Sequence, residues 1–276
     1  MSEPALDATL TTELIEIIRA AGRAILEIYD TEFAVENKAD ESPLTQADLA
    51  SHRVIVEGLA RVTPDIPVIS EESDPPAYAT RQGWSQYWLV DPLDGTKEFV
   101  NRNGEFTTNI ALIQGNRAVA GLVGVPVQDK VYVGDVTAGQ AYCVDAQGQQ
   151  PVNGRPMDMN TDEVVVVASR SHGGDRLESY LDELAAQFKG MSRKPVGSSL
   201  KLCALAAGEA DCYPRLGPTS EWDIAAAHAV LSAAGGEVYR FDQTVLPYNT
   251  KESFLNPEFV AVADAQFAWF DVLPEL

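Results

Sequence analysis

Tyr87-Trp88-Leu89-Val90-Asp91-Pro92-Leu93-Asp94-Gly95-Thr96 carries the deciding pattern of this chain. Its first four residues are an apolar, aromatic-rich run of the kind that makes a buried strand. The run stops at Asp91, and a second carboxylate follows three residues later at Asp94. The ring of Pro92 fixes its φ, so the turn between the two acids is stiff. Gly95 has no Cβ, which lets a ligand oxygen approach the backbone. Thr96 precedes Lys97-Glu98-Phe99, which reads as a first helical turn with N–H groups open to an anion. Two acids, a glycine and a helix start at a strand end suit divalent cations that hold a phosphate. The plainer alternative is an Asp-rich turn.

Working outward, 276 residues with 45% hydrophobic side chains suffice for a substantial core, in one large domain or two lobes. No run of 18 or more apolar residues occurs, so no transmembrane segment is expected. The start, Met1-Ser2-Glu3-Pro4, lacks the basic and apolar stretches of a secretion signal. Cys143, Cys203 and Cys212 are odd in number and lack C-x-x-C spacing, which fits reduced, buried side chains in a cytoplasmic protein. A net charge of −21 argues against nucleic-acid polymers as partners. It does not exclude a small anionic substrate, because exposed charges are screened beyond ~8 Å and local cations decide binding.

Residues 6–29 place Leu10, Leu14, Ile17, Ile18, Ala21, Ile25 and Ile28 at helical spacing. A second helix is expected after Thr45, with Val54, Ile55, Leu59 and Val62 on its apolar face and Pro64 as its stop. Residues 67–70 read as a short strand followed by Glu71-Glu72. Residues 107–113, 118–125 and 130–134 read as an antiparallel meander. Past Pro156 the pattern changes: a buried strand at 164–167, helices at 175–188, 200–207 and 222–234, and Gly235-Gly236 closing the last. The division is a 1–156 lobe with most of the acids and a 157–276 lobe carrying Asp223, with α and β layered together.

Four further acids can be linked to the Asp91–Asp94 turn. Glu71 and Glu72 follow a strand end, and taken alone they read as a solvated acid pair. Asp48 lies in Thr45-Gln46-Ala47-Asp48 and Asp223 in Ser220-Glu221-Trp222-Asp223, and capping alone explains both. Together, Glu71, Asp91, Asp94 and Asp223 supply hard oxygen ligands with no His or Cys beside them, a set that suits Mg2+ and not Zn2+. Asp91 is placed to bridge two ions, one activating water and one stabilising the leaving oxygen.

Glu71-Glu72, Asp91-Pro92-Leu93-Asp94-Gly95-Thr96 and Trp222-Asp223-Ile224-Ala225-Ala226, in that order and preceded by residues 38–48, resemble the lithium-sensitive, Mg2+-dependent phosphatase superfamily that includes inositol monophosphatase. Within it the chain is most similar to the CysQ-type 3′(2′),5′-bisphosphate nucleotidases, over nearly its whole length. The narrower marks are Val100-Asn101-Arg102-Asn103-Gly104-Glu105-Phe106-Thr107, Ser169-Arg170-Ser171-His172, Gly197-Ser198-Ser199-Leu200-Lys201, Tyr213-Pro214-Arg215 and Glu252-Ser253-Phe254-Leu255-Asn256-Pro257.

The resemblance implies an αβαβα sandwich, two or three Mg2+ per site, and removal of the 3′-phosphate of adenosine 3′,5′-bisphosphate to give AMP, with its sulfated analogue as a further substrate. It implies that Glu71, Asp91 and the Leu93 carbonyl hold one ion, and that Asp91, Asp94 and Asp223 hold the second. Asp48 and Thr96 would deprotonate the attacking water with help from Glu71. Gly95 and Thr96 would cradle the scissile phosphate, and Ser169, His172, Gly197, Lys201, Arg215 and Asp223 would contact the nucleotide. Each has a plainer role: His172 as a loop histidine, Lys201 as a solvated helix lysine, Gly197-Ser198-Ser199 as a helix entry with a serine cap. His52 and His228 read as structural. Other readings are an inositol monophosphatase or sugar bisphosphatase, and a non-catalytic nucleotide sensor. The expected setting is the cytoplasm or the inner face of the cell membrane, as monomer or homodimer.

Overall fold

The computed structural model describes residues 5–31, 43–158, 163–168 and 174–276. The first helix, α1 (Ala8–Tyr29), starts two residues later than its apolar periodicity suggests. Asp7 is its N-cap and accepts the Leu10 N–H at 2.8 Å, while Leu6 packs into the core from just outside the helix. α2 (Pro43–Val62) begins earlier than expected. Thr45 therefore lies inside the helix, and Asp48 does not cap its start.

Seven strands follow in one sheet, in the order β1 (Val68–Ser70), β2 (Gln86–Asp94), β3 (Thr107–Gln114), β4 (Arg117–Val125), β5 (Lys130–Asp135), β6 (Gln140–Asp145) and β7 (Gly148–Pro151). β1 and β2 are parallel; the rest form the antiparallel meander. Between β1 and β2 lies a short α3 (Tyr78–Arg81), and after β2 a short α4 (Thr96–Val100). The second sheet runs β11 (Glu237–Arg240), β12 (Phe259–Val262), β10 (Cys212–Arg215), β8 (Val164–Ala168), β9 (Met191–Pro195). Its helices are α5 (Asp175–Ala185), α6 (Leu200–Ala206) and α7 (Glu221–Ala233).

Strand alternation sorts these elements into layers. Trp88, Val90, Ile110, Leu112, Ala120 and Leu122 meet Leu14, Ile17, Ile18, Ile55 and Leu59 of the α1–α2 pair. On the opposite face Tyr87, Leu89, Ala111, Ile113 and Val123 meet α6 and α7, which also pack on Val167, Val238, Phe259 and Ala261 of the second sheet. Val164, Val166, Val260 and Val262 close on Leu181 and Leu184 of α5 and on Trp269. The order is helix pair, sheet, helix pair, sheet, helix: the expected αβαβα sandwich.

α7 lies between two sheets and is apolar all round, as such a position requires. Its alanines come so close to β4 and β5 that the facing residues must be glycine. A Cβ on Gly121 would lie 2.2 Å from the Ala226 carbonyl oxygen, and one on Gly134 2.5 Å from the Val230 Cα. These two glycines are register partners. Among the described residues no helix is long and apolar enough to cross a membrane.

Candidate metal centre

Glu71 and Asp91 meet because β1 and β2 run parallel, in a register that sets Glu71 beside Asp91. Ser70 pairs with Val90, and the Glu71 N–H donates to the Val90 carbonyl at 3.1 Å. Asp91 and Asp94 are an odd number apart, which would place them on opposite faces of a regular strand. They do not separate, because β2 does not end at Asp91. It continues through Asp94 with a bulge: Asp91 pairs with Asn109 but Asp94 with Thr107, three steps against two. Pro92 lies in that bulge, where a strand tolerates a missing donor. The Pro92 carbonyl accepts the Ser51 hydroxyl at 2.7 Å, and Leu93 is buried with Ile25, Ala47, Phe99 and Phe106.

Protein donors occupy one oxygen of each of three acids. Asp91 Oδ1 accepts the Leu93 N–H at 3.0 Å. Asp94 Oδ2 accepts the Ser199 N–H at 2.6 Å, the Ser199 hydroxyl at 2.8 Å and the Thr107 hydroxyl at 3.4 Å. Asp223 Oδ2 accepts the Ser220 N–H at 2.9 Å and completes a capping box at the start of α7. Capping and ligation are therefore compatible for Asp223. One oxygen each of Glu71, Asp91 and Asp223 falls within 4.8 Å of the others.

Packing these acids together disfavours their charged forms. Burial pushes the Asp91 carboxyl far up, and the charges of Asp94, Glu71, Asp223 and Asp48 add to it. Burial also raises Asp94, against the lowering effects of the Lys201 charge and the Ser199 bonds. Asp223 is pushed up to about 7, by burial first and then by Asp94. Asp48 reaches about 8, by burial and then by Glu72 and Glu71, and its Oδ1 is buried without a hydrogen-bond partner. Glu71 is exposed as a residue, but partial burial of its carboxyl, Glu72 and Asp94 raise it too.

The acids open into a cavity of about 310 Å3 that Gly95, Thr96, Lys201, Tyr213 and Arg215 also line. Gly95 has φ +96°, and a Cβ there would lie 3.2 Å from both Phe106 Cα and Ser198 Cβ. Tyr213 and Arg215 also line a second cavity of about 190 Å3, whose other walls include Val166, Val167, Leu177, Leu181 and Leu216.

The sequence profile of the inositol monophosphatase family matches residues 7–268. The chain belongs to this family. It is 48% identical over 250 residues to the 3′(2′),5′-bisphosphate nucleotidase CysQ of Salmonella typhimurium, covering 90% of this chain and 97% of that protein. Its identity to the CysQ of Escherichia coli K12 is 45%, with the same coverage. The crystal structure of CysQ from Bacteroides thetaiotaomicron, described as a bacterial member of the inositol monophosphatase family, superposes with TM-score 0.83 at 39% identity, covering 94% of this chain and 98% of that one. An inositol monophosphatase from Zymomonas mobilis shares the fold at 20% identity and TM-score 0.75, over 95% and 96% of the two chains.

The inositol monophosphatase architecture thus brings Glu71, Asp91, Leu93, Asp94, Gly95, Thr96, Lys201, Arg215 and Asp223 to one cavity. The charge of Asp48 is felt at Asp91. Gly197 does not line the cavity: its N–H donates to Glu105 Oε2 at 2.9 Å, and it packs on Glu98. Ser169 and His172 lie outside the described residues, as does Arg170. Lys201 is no solvated helix lysine; it is 8% exposed, and its Nζ donates to the Ser198 carbonyl at 3.0 Å. Arg193 and Lys194 of β9 pair with Glu178 of α5 and with Glu209. His52 contacts Ser70, and His228 contacts Tyr248 and Glu237, both as structural side chains. Sequence reasoning quoted Ser199, Thr107 and Tyr213 within wider motifs but gave them no role at the acids; Ser199, a serine before a helix, reads there as a cap.

Proposed function

We propose that this chain is a Mg2+-dependent 3′(2′),5′-bisphosphate nucleotidase that removes the 3′-phosphate of adenosine 3′,5′-bisphosphate, giving AMP. The observation that carries the proposal is that two cavities share Tyr213 and Arg215 as lining residues. One is walled by carboxylates and the other by apolar side chains. The first suits cations and a phosphate, the second the flat apolar faces of a nucleoside.

The donor set fits Mg2+ on the structure's own terms. Its members are carboxylates and a carbonyl, no histidine or cysteine among the described residues joins them, and Asp91, Asp94 and Asp223 each have one oxygen that no described donor reaches. Glu71, Asp91 and the Leu93 carbonyl would hold one ion, and Asp91, Asp94 and Asp223 the second. Ions held there supply Lewis-acid polarisation of the phosphate and neutralise charge on the leaving oxygen. Asp48, with its unpartnered Oδ1, and Thr96 orient the attacking water and take its proton, with Glu71 assisting. The N–H groups of Gly95 and Thr96 face the scissile phosphate. Lys201 and Arg215 supply positive charge for the second phosphate in a chain of net charge −21.

The test is phosphate release by the purified protein from adenosine 3′,5′-bisphosphate and from inositol 1-phosphate, with and without Mg2+. Metal-dependent release with the nucleotide strongly preferred is the expected result. Preference for inositol 1-phosphate would overturn the substrate assignment, and release unaffected by chelation would overturn the metal centre.

A further inference from the structure

Ser199 occupies the N-cap position of α6, but its side chain makes no cap bond there. The hydroxyl is turned the other way, 2.8 Å from Asp94 Oδ2 and 2.9 Å from the Asp223 carbonyl oxygen. Its backbone N–H also reaches Asp94 Oδ2, at 2.6 Å. A hydroxyl has one proton, so it donates to one of these oxygens at a time. In either state Ser199, 2% exposed, stands between an acid of β2 and the first turn of α7.

The preceding backbone is shaped for this. Ser198 has φ +43°, a left-handed conformation that residues with a Cβ rarely adopt. Glu105 holds it there: its carbonyl accepts the Ser198 hydroxyl at 2.7 Å and its Oε2 the Gly197 N–H at 2.9 Å. The turn directs both donors of the next residue at Asp94.

We infer that Ser199 is a positioning residue that makes Asp94 a one-oxygen ligand and thereby favours a small six-coordinate cation over a larger one. This rests on the metal-centre reading above. Mg2+ requires near-octahedral geometry at short distances, whereas Ca2+ accepts more ligands, longer distances and both oxygens of a carboxylate. With its Oδ2 bound to Ser199, Asp94 can offer a cation only Oδ1. Ser220 and Leu93 impose the same restriction on Asp223 and Asp91 through backbone N–H groups, which substitution does not remove. The Ser199 hydroxyl is a side-chain group, so it can be removed.

The experiment titrates metal-free protein by calorimetry with MgCl2 and separately with CaCl2, at about pH 8, without substrate. For Ser199→Ala, Mg2+ affinity should fall about tenfold, the scale of outer-sphere ligand support. Ca2+ affinity should hold or rise, so that the ratio moves toward calcium. Ser199→Thr, which keeps the hydroxyl, should keep the wild-type ratio. If the alanine variant does not fold, Ser199→Cys replaces the hydroxyl with a weak donor at similar volume and should move the ratio in the same direction. Equal loss of both cations, or an unchanged ratio, would overturn the role of Ser199 while leaving the metal centre standing. Wild-type protein that binds no Mg2+ would overturn the metal centre and this inference together.

Discussion

At the scale of the residue, Asp94 shows how a buried acid is committed to one task. The Ser199 and Thr107 donors converge on its Oδ2. In Asp94→Asn those donors would hold the amide oxygen, so the amide NH2 would face the cation position with hydrogens. Turnover is expected to fall at least a hundredfold, about 2.7 kcal/mol of barrier, with a near wild-type melting temperature. Steady-state kinetics beside thermal unfolding checks this, and activity above a tenth of wild type would remove Asp94 from the metal centre. The acids themselves were legible because their residue types and spacing carry the chemistry. Ser199 was not, because a serine before a helix is the commonest of caps and only the fold shows where its hydroxyl turns. Nor could spacing alone choose between capping and ligation. Asp223 does cap α7, while Asp48, in the same T/S-x-x-D pattern, sits inside α2 with an unpartnered oxygen.

Elements were readable in proportion to the regularity of their burial. α1 buries one stripe, the strands β3 to β5 and the apolar β8 are buried along most of their length, and each matches its pattern within a few residues. β7 (Gly148–Pro151) is exposed throughout, β6 is at most half-buried, and β10 contains Pro214, so none shows an alternation to read. The bulge in β2 was hidden for another reason: Pro92 signals a turn, and only pairing with β3 shows the strand continuing to Asp94. At this scale α7 is the element under most constraint. Gly121→Ala would drive a methyl into the Ala226 backbone, which lies within a helix fixed between two sheets and cannot yield as a side-chain tip can. A loss of about 3 kcal/mol is expected, the upper range for overpacking. Urea denaturation measures it. Since α7 carries Asp223, Mg2+ affinity should fall with it. An unchanged midpoint would mean that α7 has slack against the sheet.

For the whole molecule, gathering acids at one cavity has a stability consequence that depends on pH. Asp48 at about 8, Asp223 and the buried Glu221 at about 7, and Asp91 well above its usual value all bind protons more tightly folded than unfolded. A carboxyl whose folded pKa is raised contributes stability that is fully present below its unfolded value. That contribution is lost as pH rises through the window up to the folded value. The metal-free protein should therefore lose stability between about pH 4 and pH 8. Glu237 runs the other way: burial would raise it, but the His228 contact and the Val238 and Ser232 donors leave it lowered, so its contribution is lost only in acid below the usual Glu range. The net charge of −21 adds repulsion as the remaining carboxyls ionise. Cations that replace the protons reverse the trend, because a ligand bound only by the folded state, at free concentration c, stabilises it by RT ln(1 + c/Kd). In EDTA, the melting temperature should fall from about pH 5.5 to about pH 8. Added Mg2+ should raise it more at the higher pH, where fewer protons compete for the same oxygens. Thermal unfolding at the two pH values, with chelator and with excess Mg2+, separates the terms. A metal-free melting temperature that stayed level or rose toward pH 8 would show that these carboxyls are not buried against one another. Equal Mg2+ stabilisation at both pH values would show that the cation and the protons occupy different groups.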